Sequence, residues 1–248
     1  MSKINQLDSA LITSVRFPLL LLVVLSHCVV VTTTTPASFS LDGANIFHMT
    51  ELISRSLGAV AVGGFALISG YLFFLFPAKR YLNLLKVKAR SLLLPYILWG
   101  IICIVAVWLK NNIALEVGFT PGISNAEISM INRLSIFELL ILPFNGPLWY
   151  IRELIYLVIL SPIISLLFRH IKVVLPIAMG LLYLLGINAV ISSSIGFYFI
   201  VGGWLGYTGR SLAGSLQIPP ILSLVNLAAY LYIVLFLGDY PWYSYHTA

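Results

Sequence analysis

The chain has 248 residues, 60% of them hydrophobic and only 9% charged, with a formal net charge of +6 and a mean hydropathy of +1.02. A soluble globular domain is excluded, because its surface needs roughly 25% charged residues. Nucleic-acid binding is disfavoured too: the basic residues gather in particular connections between apolar runs, with no patch of interleaved aromatics.

A bilayer core is crossed by about 20 mostly apolar residues in a helix, since every backbone polar group there must be bonded within its own segment. The apolar runs here are long and continuous, unlike the roughly ten-residue alternating strands of a membrane barrel. The predicted fold is therefore all-α, a polytopic transmembrane helical bundle forming a single domain over residues 1–248. Seven spans are predicted, at about 11–31, 57–76, 92–110, 148–168, 172–190, 195–208 and 219–237.

The first run is too long for a signal-peptide core, and Thr32 to Thr35 follow it in place of a small-residue cleavage site. It is read as a retained helix. Arg16 and His27 lie inside it, where ionisable residues are expensive and mark a polar pathway or site. Eleven residues at ~100° each make about three turns plus 20°, so the two share one helix face, ~16 Å apart along the axis and looking into the bundle. A guanidinium suits an anionic group such as a phosphate, and an imidazole suits proton removal from a hydroxyl. The alternative, given equal weight by spacing alone, is that Arg16 snorkels to the interface and His27 bonds a neighbouring helix.

Asp42, His48, Glu51 and Arg55 read as a solvated loop. After the second run, Lys79, Arg80, Lys86, Lys88 and Arg90 occur without an acid, and the positive-inside rule places that loop in the cytoplasm. The N-terminus is then cytoplasmic, and the segments at 32–56 and 111–147 face outward. The basic cluster sets topology first, and could also meet the phosphates of a nucleotide-bearing donor or anionic lipid headgroups. In the long outer segment, Ser135 and Glu138 form a capping box opening a short interfacial helix that Pro143 stops.

Arg152 and Glu153 open the fourth span, with Tyr156 on nearly the same face as Glu153. Glu153 could polarise an acceptor hydroxyl, or could sit at headgroup level beside the aromatic belt of Trp149 and Tyr150. The sixth run is short and carries Gly196, Gly202, Gly203 and Gly206, with Gly202 and Gly206 spaced for close helix approach. Cys28 and Cys103 lie in apolar runs as small hydrophobes. No histidine pair has metal-ligand spacing and no G-x-S-x-G elbow occurs, so no metal and no serine nucleophile is expected.

Four strings, in order, resemble the bacterial acyltransferase family 3. VRFPLLLLVVLSH is similar to its arginine, ten residues, histidine signature, at Arg16 and His27. GGFALISGYLFF is similar to its F-F-x-x-S-G-Y/F segment, at Phe65, Ser69, Gly70 and Tyr71. KVKARSLLLPYILW resembles the basic stretch opening its third helix, with Lys86, Lys88 and Arg90 where many members carry paired arginines. PLWYIRELIYLVILSP resembles its L-W-x-l-x-x-E/D-x-x-Y segment, at Glu153 and Tyr156.

The resemblance implies transfer of an acyl group, most often acetyl, from acyl-CoA (acetyl-CoA) to hydroxyls of extracytoplasmic glycans. His27 and Glu153 would be catalytic, while Arg16, Ser69, Tyr71, Lys86, Lys88, Arg90 and Tyr156 would bind substrates. It further implies the bacterial inner membrane, with membrane lipids and a glycan acceptor as partners and no metal. Members have about ten spans, so a C-terminally truncated member is expected. The competing class is a transporter or non-enzymatic scaffold in which Arg16 and His27 line a polar path.

Overall fold

A computed structural model describes residues 5–28, 44–75, 81–116, 148–188 and 191–216, and its regular elements are all helical. The expected all-α fold is what the chain adopts. Four helical stretches are long and apolar enough to cross a membrane: Gln6–Ser26, Leu57–Phe74, Leu85–Ala106 and Trp149–Ile171. They match the first four predicted spans.

Helix α1 (Gln6–Cys28) runs through Pro18 without ending. Three of its hydroxyls fold back onto backbone carbonyls, Thr13 Oγ1 donating to Ser9 O at 2.8 Å, Ser14 Oγ to Leu11 O at 2.9 Å and Ser26 Oγ to Val23 O at 2.7 Å. Helix α2 (Ala44–Phe74) has 31 residues and is ~46 Å long, well beyond a ~30 Å core. Residues 44–56, expected as an outer loop, are therefore helical. Hydropathy marks the apolar part of a helix and not its end, and no glycine or proline interrupts residues 44–57.

From Tyr81 on, the basic stretch expected as a loop is also helical; Lys79 and Arg80 lie outside the described residues. Helix α3 (Tyr81–Lys88) passes through a π turn (Ala89–Leu93) into α4 (Leu94–Glu116). Pro95 has no N–H to give the carbonyl four residues back, and a widened turn just before it is the usual accommodation. Helix α5 (Trp149–Ile171) carries Pro162 internally. Ser161 Oγ donates to Val158 O at 2.6 Å, replacing the bond that Pro162 cannot make.

The fifth and sixth predicted spans come out short. Helix α6 (Val174–Leu184) has 11 residues, ~16 Å, half of what a bilayer needs. Lys172, at φ 49°, breaks the chain out of α5, and Gly186, at φ 65°, ends α6. Helix α7 (Ser193–Thr208) has 16 residues and closes on Gly209 at φ 68°. A four-residue helix, α8 (Leu212–Ser215), follows. The seventh predicted span and the Ser135–Pro143 element lie outside the described residues.

The chain divides into two compact units, residues 1–76 with 164–248, and residues 77–163. In the first, α2 and α7 cross with their backbones in contact. A Cβ on Gly70 would meet the backbone of Phe199, one on Gly202 the backbone of Leu67, and one on Gly206 the backbone of Tyr71. The close approach anticipated from Gly202 and Gly206 is thus present. In lipid the hydrophobic effect does not drive helices together, so such small-residue contacts carry the association. Phe74 adds edge contacts to Phe168 (5.1 Å between centroids) and Phe199 (6.1 Å). Helix α1 lies on α2 through Ile12, with Leu11, Val15 and Leu19 packed against Ile68, Tyr71 and Leu75.

In the second unit, α3, the π turn and α4 form one helical rod, and the first part of α5 buries Leu154, Leu157 and Val158. Leu94, Leu98, Trp99 and Val105 of α4 are exposed. An apolar surface of that kind suits lipid and not water.

Candidate functional site

Glu153 lies in the first turns of α5 and is buried, at 5% exposure. Arg152 Nη2 stands 4.0 Å from its Oε1. An ionised carboxylate is taken out of water only when paired or hydrogen-bonded, and Arg152 is the neighbouring cation. The Nε–H of Arg152 is buried without an acceptor among the described residues. Tyr156, one turn on, is half-buried, and Tyr96 of α4 is buried within electrostatic range of Arg152 and Tyr156. The second unit therefore holds a cluster of two phenols, a guanidinium and a carboxylate inside membrane-length helices. Sequence reading singled out Glu153 and Tyr156 but gave Tyr96 no role.

In the first unit, α1 is continuous through residues 16 and 27, so the shared-face relation between those positions holds. Arg16 is exposed, not enclosed as expected. The packed side of α1 is set by Asp8, Ile12, Val15 and Leu19. Arg16 falls ~70° round the helix from the centre of that stripe. Position 27 falls on the same flank.

Lys86 is exposed and Lys88 half-buried on α3, and Arg90 is exposed in the π turn. π turns are enriched at functional sites. These three belong to the second unit and Arg16 to the first.

The resemblance assigned Ser69 and Tyr71 to substrate binding. Ser69 is half-buried on α2. Tyr71 is 2% exposed, and its hydroxyl donates to Asp8 Oδ2 at 2.7 Å. Asp8 itself is 1% exposed and accepts twice more at Oδ1, from Ser211 Oγ at 2.7 Å and from the Ala213 backbone N–H at 2.8 Å. Ser211 in turn accepts from Gly214 N at 3.1 Å, capping α8. Asp8 and Ser211 carried no sequence signal, because an acid just ahead of an apolar run reads as a solvated helix end.

The first unit is thus a helical membrane bundle with a buried carboxylate, and the second carries the buried Glu153 beside the half-buried Arg152 and Tyr156. These features define a membrane protein with ionisable groups, Asp8 and Glu153, buried within membrane-length helices. Comparison with known proteins fixes the family: residues 11–248 match the acyltransferase domain, and the chain belongs to acyltransferase family 3. It is also similar to the succinoglycan biosynthesis protein ExoH of Rhizobium meliloti (strain 1021), 32% identical over 121 residues, which cover 46% of this chain and 31% of that protein. The matched part is thus less than a third of that relative's length. No solved structure matches the chain.

Proposed function

We propose that the chain transfers an acetyl or other short acyl group from acyl-CoA to a hydroxyl of an extracytoplasmic glycan. The single observation that carries the reading is the buried Glu153 beside Arg152 in a 23-residue apolar helix, in a chain of the acyltransferase family. The similarity to a protein of succinoglycan biosynthesis supports a glycan as acceptor.

On this reading the acceptor hydroxyl attacks the thioester carbonyl and its proton passes to His27. The C–S bond then breaks, the acyl group remains on the sugar oxygen, and coenzyme A leaves as a thiol after taking the proton back from the imidazolium. Arg16 is a cation for the donor's phosphates, and the family resemblance gives Lys86, Lys88 and Arg90 a substrate-binding role of their own. Glu153 and Tyr156 serve the acceptor by hydrogen bonding to its hydroxyls, and the buried Arg152 Nε–H offers a further donor to a sugar oxygen. The acid-free run from Lys79 to Arg90 supports a cytoplasmic N-terminus in a bacterial cytoplasmic membrane.

The test is transfer of label from acetyl-labelled and succinyl-labelled coenzyme A to purified surface glycan, by the full chain in proteoliposomes. Label in base-labile ester linkage on the glycan supports the proposal. Intact donor and unlabelled glycan after incubation, with the chain verified as folded, would sink it.

A further inference from the structure

An ionisable group in a membrane helix is costly, and Asp8 is the most deeply buried carboxylate among the described residues. Its hydrogen bonds come from residues 63, 203 and 205 positions away. Three neutral donors from two other parts of the bundle converge on one side chain of α1. The bonds are short, and no ion pair to Asp8 occurs among the described residues. Around the carboxylate α1 packs through apolar side chains, Ile12, Val15 and Leu19 against α2 and Leu212. Packing of that kind is non-directional and tolerates sliding and rotation, more so in lipid, where helices gain nothing from being hidden from water. Directional bonds to both carboxylate oxygens remove that freedom.

Arg16 is eight residues beyond Asp8 on the same uninterrupted helix, ~12 Å along the axis. A rotation of α1 by about 20° moves groups at its ~5–6 Å outer radius by about 2 Å. Misplacement by about 1 Å can already cost 10²-fold in a positioned site.

We propose that Asp8 is a positioning residue, whose carboxylate, held by Tyr71, Ser211 and the Ala213 amide, fixes the rotation and height of α1 and so the setting of Arg16 for an anionic acyl donor. The tyrosine of the S-G-Y string then acts through α1, with no contact to substrate needed. Gly70, its neighbour, permits the α2–α7 crossing, so the string joins a close backbone approach to the bolt. The part concerning the donor rests on the acyltransferase reading; the bolt itself does not.

The test uses the full chain in bilayers with Tyr71→Phe, Ser211→Ala, Asp8→Ala and Asp8→Asn. Hydrogen exchange is read on the start of α1 and on residues 209–216, and KM for acetyl-CoA, KM for the glycan and kcat are measured on the same proteins. The expected result is a joint rise in exchange of both segments in Tyr71→Phe, Ser211→Ala and Asp8→Ala. The donor KM should rise about tenfold in Asp8→Ala with the glycan KM unchanged. Asp8→Asn should restore the donor KM to within about threefold of wild type, because an amide keeps the acceptor facing Ser211 and Ala213 and can donate to the Tyr71 hydroxyl.

Adding Tyr71→Phe to Asp8→Ala should cost nothing more, since Asp8→Ala has already removed the Tyr71–Asp8 bond along with the other two. Should Asp8→Ala fail to fold, Tyr71→Phe and Ser211→Ala, each removing one hydroxyl, carry the decision. Unchanged exchange in those two overturns the bolt. Raised exchange with an unchanged donor KM, or an Asp8→Asn variant as impaired as Asp8→Ala, overturns the positioning role. A joint rise in exchange in a protein whose wild type turns over no acyl donor supports the bolt and refutes the acyltransferase reading alone.

Discussion

Substituting Gly202 by alanine places a methyl group where α2 and α7 already touch. The added Cβ would lie 2.8 Å from the carbonyl carbon of Leu67 and 3.0 Å from its Cα, with the carbonyl oxygen nearer still. These are backbone atoms of a helix, so no side chain can swing aside, and ordinary separation of ~3.5–4 Å requires the helices to part. A gap of 0.5–1 Å forfeits a quarter to a half of each contact's dispersion energy along the crossing. Overpacking of a rigid interface costs about 1–3 kcal/mol and at times more, and the upper end, about 3 kcal/mol, is expected here.

Gly214 is the internal control. A Cβ there would lie 3.6 Å from the Ser211 side chain, an ordinary contact, and alanine is the better helix former by ~1 kcal/mol. Reversible unfolding of the purified chain in mixed micelles, followed by tryptophan fluorescence, measures both. Gly202→Ala should lose about 3 kcal/mol while Gly214→Ala stays within about 0.5 kcal/mol of wild type or gains. Equal stability of Gly202→Ala and wild type would refute the backbone-contact argument.

Ser161→Ala should destabilise the chain by about 1–2 kcal/mol by removing the buried bond from Ser161 Oγ to Val158 O. The same change in a Pro162→Ala background, where an N–H returns to that carbonyl, should cost much less; equal costs in the two backgrounds would contradict the compensation. Glu153→Gln, which keeps the shape and removes the charge, should lower the rate of acyl transfer by at least ~10²-fold with the fold retained. Transfer within about threefold of wild type would remove Glu153 from the chemistry.

The transmembrane character was open to sequence reading because composition leaves no alternative surface, and the first four spans fell where apolar runs predicted. What failed were ends and depths. Hydropathy reported the apolar half of α2 and missed the polar turns from Ala44, which are helical because nothing breaks them. The run at 172–190 looks continuous, yet Lys172 and Gly186 at positive φ confine its helix to Val174–Leu184.

At the candidate site, Glu153 and Tyr156 were visible because charge and phenol break an apolar pattern. Tyr96 was hidden by being one more aromatic. The Asp8 network was invisible for another reason: its partners are up to 205 residues away, and only the tertiary fold brings them to a helix end that otherwise looks solvated. Tyr71 shows the limit of a matched string, which marks a position without saying which neighbour the side chain serves.

The central claim is acyl transfer with His27 as the base, and its most direct measurement is NMR of the surface glycan from cells producing either the full-length wild-type protein or its His27→Ala variant. General-base removal costs typically 10²–10⁴-fold, so O-acyl signals present with the wild type should vanish with the variant at equal membrane abundance. Undiminished O-acyl signals in the His27→Ala cells would contradict the account.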